Sequence, residues 1–166
     1  MAYGNHVKTD ALSTTYTVAA YTVGSLRMES ADEVTAGDAS LSGDRTWVFI
    51  KAAVAIALGD VVEKNVASVS FEGKPCVTAA AELVTLIGVA QHAIALNSYG
   101  WVVKAGEAVV STTGVTAGET IATDASADGI PTVANASAIT DTTAQAFGRA
   151  ITSTAGGLSD AYISIP

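Results

Sequence analysis

The strongest constraint on this chain is an internal echo. The order Gly59-Asp60-Val61-Val62, Ile87-Gly88-Val89-Ala90 and Gly100-Trp101-Val102-Val103 returns as Gly118-Glu119-Thr120-Ile121, Phe147-Gly148-Arg149-Ala150 and Ala161-Tyr162-Ile163-Ser164. The spacing is nearly constant: 59 residues from Gly59 to Gly118, 60 from Ile87 to Phe147 and 61 from Gly100 to Ala161. Short β-forming runs repeated at that period predict two related β modules. Each is too small to close a core alone, so the two are expected to pair into one barrel-like body. In this alignment Trp101 and Tyr162 hold equivalent positions, which marks both as structural side chains.

A turn unit accompanies the repeat. Ala-Gly-Asp/Glu occurs at Ala36-Gly37-Asp38, Ala105-Gly106-Glu107 and Ala117-Gly118-Glu119, with the variant Leu58-Gly59-Asp60. Glycine there permits positive φ and a tight reversal. Between such signals, strand-like runs fall at 47–50, 60–63, 66–71, 83–90, 101–103, 108–110 and 161–165. Turn-bounded runs of this length indicate a sandwich or barrel. The best helix candidates, 78–86 and 136–147, are short and contain Thr. The fold class expected is therefore all-β: a small barrel of two modules over residues 46–166, preceded by an extended arm over 1–45. The arm carries Tyr16-Thr17-Val18-Ala19-Ala20-Tyr21-Thr22-Val23 and then the polar run 29–44. With little core of its own, it would gain order by packing on something else.

Composition excludes several classes. Apolar residues are 49% of the chain and charged residues 14%, which rules out wholesale disorder. A net charge of -8 without clustered Lys and Arg argues against nucleic-acid binding. From residue 105 onward Arg149 is the sole cation among six carboxylates, so that region should present an acidic face. The longest apolar stretch, 52–58, is far short of the roughly 20 residues that span a bilayer, and no membrane partner is expected. The opening MAYGNHVKTD lacks a basic segment followed by an apolar one, so synthesis in the cytoplasm is expected. Cys76 is alone and has no disulfide partner in the chain.

Chemistry-bearing motifs are few. No metalloprotease, nucleophile-elbow, phosphate-loop or dinucleotide fingerprint is present. His6 and His92 are the two groups that titrate near neutrality as histidines, and each reads as a surface or interface residue. Asp124-Ala125-Ser126-Ala127-Asp128-Gly129 opens like a calcium loop, but Asn135 stands where the bidentate Glu is required, so a hairpin turn is preferred. Asn135-Ala136-Ser137 is a glycosylation sequon without an expected route to the machinery. No catalytic residue, cofactor or metal ligand is expected, and the chain is read as a non-enzyme.

The run Trp47-Val48-Phe49-Ile50, the strand start Gly59-Asp60-Val61-Val62, Ile87-Gly88-Val89-Ala90, Gly100-Trp101-Val102-Val103 and Val109-Val110 together resemble bacteriophage capsid cement, or head-decoration, proteins. Asp128-Gly129-Ile130 and the ending from Phe147-Gly148-Arg149-Ala150 to Ile165 look like that family too, so the resemblance spans residue 46 to the C-terminus. It implies a β-barrel or β-tulip body, usually a homotrimer, seated on the capsid exterior and clamping neighbouring copies of the major capsid protein. Under that implication Tyr16, Tyr21, Arg27, Arg45 and Trp47 are the candidate contacts to the capsid or a sister subunit: aromatic anchors in and beside the arm, and cations that could meet capsid carboxylates. Rival readings are another phage virion part (tail tube, baseplate or head fibre), a carbohydrate-binding adhesin module, and a small lyase or hydrolase.

Overall fold

A computed structural model describes residues 11–37, 41–65, 67–68, 71–76, 85–123, 133–135 and 146–166, with backbone alone for 35–37 and 133–135. The chain is nearly all β, as its repeat and turn chemistry predict. In order it forms β1 (Leu26–Glu29), α1 (Ala31–Gly37), β2 (Arg45–Ala52), β3 (Val61–Lys64), β4 (Glu72–Pro75), β5 (Leu86–Ala90), β6 (Tyr99–Ser111), β7 (Thr120–Thr123), β8 (Val133–Asn135), β9 (Ala146–Ala150) and β10 (Leu158–Ser164). One sheet runs β1-β2-β4-β3-β5-β6-β10-β9-β7-β8, and an additional β2–β6 pairing closes β2, β4, β3, β5 and β6 into a five-stranded ring. Closure removes the exposed edges that a small open sheet would carry.

The repeat is present atom by atom. Val62 pairs with Gly88 and Ile121 with Gly148, and in both ladders the register shifts at the next residue. The Gly59 amide donates to the Ala90 carbonyl at 2.7 Å, and the Gly118 amide to the Ala150 carbonyl at 2.8 Å. At the turn preceding each strand, Ala57 N–H donates to Asp60 Oδ2 and Thr116 N–H to Glu119 Oε2, at 2.7 and 2.8 Å. A Cβ on Gly88 would lie 2.7 Å from the Val103 carbonyl oxygen, and one on Gly148 2.5 Å from that of Tyr162, so both positions need glycine for close strand approach.

That geometry shifts one equivalence expected from the sequence. Val89 faces Val103 and Arg149 faces Tyr162, which makes Tyr162 the counterpart of Val103 rather than of Trp101. The consequence is visible in burial: Trp101 is fully buried while Tyr162 is 57% exposed. Spacing alone cannot fix register when loops between strands differ in length by a residue or two.

Four further expectations change. The unit Ala105-Gly106-Glu107 does not reverse the chain but lies inside the single 13-residue strand β6. Ala36-Gly37, read as the start of a turn unit, ends α1, and α1 itself occupies part of the run read as polar loop. Its start is a capping arrangement, with the Ser30 N–H and hydroxyl both donating to Glu33 Oε2 at 3.0 and 2.9 Å. Of the strand expected over 66–71, residues 66, 69 and 70 lie outside the described residues, while Ala67 and Ser68 belong to a turn that Asn65 organises: its side-chain oxygen accepts from Ala67 N–H and its carbonyl from Ser68 N–H. In the arm, the Tyr16 to Val23 run contributes one bridge, Tyr16 to Tyr99, and β1 is the strand that forms. The helix candidates at 78–86 and 136–147 lie largely outside the described residues, although Leu86 and Phe147 belong to β5 and β9.

Two apolar clusters hold the body. Val48, Ile50, Ala52, Val62, Ile87, Ala90 and Val102 come from the strands of the ring and fill its interior. Trp47, Phe49, Trp101 and Val103 face the other way and join Val110, Ile121, Phe147, Ala161 and Ile163 of the second module. Strand β2 is therefore buried on both faces, which is why its sequence is a continuous apolar run instead of an alternation. Strand β6 serves both modules. Its odd positions Trp101 and Val103 and its even positions Ala108 and Val110 enter the same cluster, because parity switches at the bend around Gly106.

Candidate functional site

The residues expected to meet another chain converge on one side of the body, where residues 11–30 cross the outer face of β2. Arg45 opens β2 and is buried; its Nε donates to Glu29 Oε2 at 2.9 Å. Trp47 Nε1 donates to the same oxygen at 2.9 Å, and the Arg45 guanidinium carbon sits 5.1 Å from the centroid of the Trp47 ring. A single carboxylate thus binds β1 to β2 through a charge-assisted pair and an indole. Both Arg45 and Trp47 are enclosed within the chain by this arrangement.

Tyr16 and Tyr21 are half-buried in an aromatic group that covers Phe49. Tyr21 lies 5.3 Å from Phe49 and 5.2 Å from Trp101 between ring centroids, and Tyr16 lies 5.9 Å from Phe49. Tilted contacts of this kind contribute about 0.5–1.5 kcal/mol each beyond burial. They fix residues 16–23 to the ring wall, so the arm is clasped by its own body. Arg27 is half-buried on β1. What this segment leaves exposed is Val18, 77% accessible, with Leu26 at 54% and Met28 at 68% on β1.

Shallow grooves flank β1 on more than one side. One, of about 280 Å³, is lined by Leu26, Val48, Phe71, Leu86, Lys104 and Pro166 among others. The second, of about 410 Å³, has the Glu29–Arg45–Trp47 cluster at its base and Leu41, Leu58 and Gln91 on its walls. At the junction of the modules the Gln91 amide acts like a strand residue, accepting from Val109 N–H at 2.9 Å and donating to its carbonyl at 3.0 Å.

Titratable groups elsewhere are perturbed by packing. Burial pushes the Cys76 thiol up to about 12, helped by the neighbouring Glu63 charge. Burial also raises Asp60, opposed by the Ala57 N–H that its carboxylate accepts. His92 lies against Gly100, with both ring nitrogens enclosed and without a hydrogen-bond partner among the described residues, and burial lowers its pKa. The sequence reads it as a surface or interface residue; the close approach permitted by Gly100 leaves it half-buried against the body. Among the described residues, no three His, Cys, Asp or Glu side chains cluster as metal ligands would. His6 and the 124–129 loop lie outside the described residues.

Sequence reasoning missed β1, Glu29 and α1. The signals were present: Leu26-Arg27-Met28-Glu29 alternates apolar and charged residues, and Ser30-x-x-Glu33 is a helix-start pattern.

No family model matches the chain, and no curated protein matches it. Among solved structures, the head fiber gp8.5 N base in bacteriophage phi29 is similar over 72% of this chain and 94% of that one, with 16% identity and a TM-score of 0.49. At that identity and TM-score the likeness bears on neither activity nor partner.

Proposed function

We propose that this chain is a bacteriophage virion structural protein, and more specifically that it binds the capsid exterior and reinforces it as a decoration protein. The observation that carries the reading is the place of the motifs that resemble that family. Trp47-Val48-Phe49-Ile50, Val61-Val62, Ile87-Gly88-Val89-Ala90 and Trp101-Val102-Val103 all lie in strands of the closed ring, and Phe147-Gly148-Arg149-Ala150 repeats one of them in the second module. A ring closed by hydrogen bonds and braced by a second module suits a part whose work is mechanical. In this reading the main partner is the major capsid protein, and the chain is made in the host cytoplasm before joining heads.

Because Arg45, Trp47, Tyr16 and Tyr21 are occupied within the chain, the capsid-facing surface of this reading falls on their exposed neighbours. The purified protein is mixed with expanded, undecorated phage heads and centrifuged. Saturable, stoichiometric pelleting with heads is expected. Protein that stays in the supernatant, or that polymerises into rings or tubes without heads, overturns the decoration reading.

A further inference from the structure

Register makes the two modules comparable residue by residue. Val102 faces Ala90 and Ala161 faces Ala150, so Trp101 of the first module corresponds to Asp160 of the second. Trp101 in turn faces Phe49, and Asp160 faces Val109; two residues back along each strand, Tyr99 corresponds to Leu158. In the first module these positions, Phe49, Tyr99 and Trp101, are the floor on which the segment carrying Tyr16 and Tyr21 lies. In the second module the same positions, Val109, Leu158 and Asp160, floor a groove of about 390 Å³. Thr152, Ser153 and Ala155 line its rim and are exposed. The lining falls within 85–123 and 146–166, which are described throughout.

What differs is the chemistry of the floor. Aromatic rings give way to the aliphatic Val109 and Leu158, and the indole of Trp101 to a half-buried carboxylate. Asp160 Oδ2 accepts the Thr152 hydroxyl in a long contact of 3.4 Å, while Oδ1 has no partner among the described residues. From residue 105 onward the sole cation is Arg149, and its Nε donates to the Gly118 carbonyl at 2.9 Å. A carboxylate recessed among aliphatic side chains, in a chain of net charge -8, favours a cation that brings its own hydrocarbon stem. Lys and Arg are such groups. The Leu158 backbone is already bonded to Ala155 in both directions, at 3.1 and 2.9 Å. A segment seated here is therefore held by its side chains, without the backbone bridge that joins Tyr16 to Tyr99.

We propose that this groove is a docking site for a polypeptide segment of another protein, which sets aliphatic side chains on Val109 and Leu158 and pairs a Lys or Arg with Asp160. In the first module the equivalent floor already holds a segment of chain, supplied by the protein itself. In the second, the place is left to a partner of opposite charge, and the charge selects which partner it is. The contact does not rest on the decoration reading, whose capsid-facing surface lies beside Arg45 and Trp47.

The test uses the full chain and a blocked pentapeptide, Val-Thr-Lys-Thr-Val, whose two valines and lysine share one face when extended. Binding is followed by proton–nitrogen correlation NMR. Saturable shifts are expected at the amides of Val109 and of 152–160, weakening as salt rises. Asp160→Asn keeps the shape and an acceptor for Thr152 but removes the charge. It is expected to lower affinity about tenfold, the loss of one charge-assisted contact, with an unchanged circular dichroism spectrum. Asp32→Asn, at an exposed position in the first turn of α1, should bind like wild type. The peptide with Glu in place of Lys should not bind. Lack of saturable shifts, shifts centred elsewhere, equal binding of the Glu peptide or undiminished affinity of Asp160→Asn would each overturn the proposal. So would shifts at the same amides with maltohexaose and none with the peptide, which would make the groove a saccharide site.

Discussion

Replacing Gly106 with alanine perturbs the point where β6 passes from one module to the other, and the structure sets the size of the effect. Gly106 has φ of 107°, and an added Cβ would lie 2.5 Å from the Asp44 carbonyl oxygen, 2.9 Å from Arg45 Cγ and 3.0 Å from Arg45 Cα. Holding a side-chain-bearing residue in that backbone region costs about 1–3 kcal/mol. Displacing packed backbone costs about 1–3 kcal/mol more. Together the loss is about 4 kcal/mol, which in a chain of this length lowers the melting temperature by roughly 8–16 °C. Gly156 supplies the control, since its φ is 60° and nothing lies within 4 Å of an added Cβ; Gly156→Ala should cost only about 1–2 kcal/mol. Urea and thermal unfolding, followed by circular dichroism on both variants, measure the difference. If Gly106→Ala is no more damaging than Gly156→Ala, the account of β6 as one strand bent against Arg45 is wrong.

Removing the Glu29 carboxylate with Glu29→Ala leaves the largely buried Arg45 and the Trp47 indole without their shared acceptor, and a loss of about 2–3 kcal/mol is expected in urea unfolding; a change within about 0.5 kcal/mol would mean the cluster is incidental. His92 is held below its ordinary pKa by burial, so as pH falls through about 6.5 the unfolded chain takes up the proton first and stability declines in acid. His92→Gln cannot titrate, so its urea midpoint should fall less than wild type between pH 7 and pH 5; superimposable pH profiles would refute this. With its thiol pushed up to about 12 and buried, Cys76 should react with a disulfide reagent at pH 8 only after denaturant is added. Prompt stoichiometric labelling of the native protein would contradict that placement.

Much of the architecture is legible in local chemistry. β-branched and aromatic runs at 47–50, 60–63 and 101–103 became β2, β3 and part of β6, because their propensity and burial agree. The echo between Gly59 and Gly118 survived as matching turns and matching register shifts, since each turn carries its own acidic side chain to accept the amide three residues earlier. The candidate site was harder to read. Arg45 and Trp47 look like free contacts along the chain, yet Glu29, sixteen and eighteen residues earlier, binds both through a single oxygen.

The sequence by itself determined that the chain is β-rich, built of two related modules and punctuated by glycine turns, because propensity, turn chemistry and repetition are properties of neighbouring residues. Only the tertiary structure decided that β6 is one strand shared by both modules and that β2 and β6 close the ring. It also decided that β1 joins the sheet beside β2. The physical reason is visible at Gly106: a glycine with positive φ serves a reversal or a bend equally well, and the choice falls to the backbone of Asp44 and Arg45 packed against it, some sixty residues away in the chain.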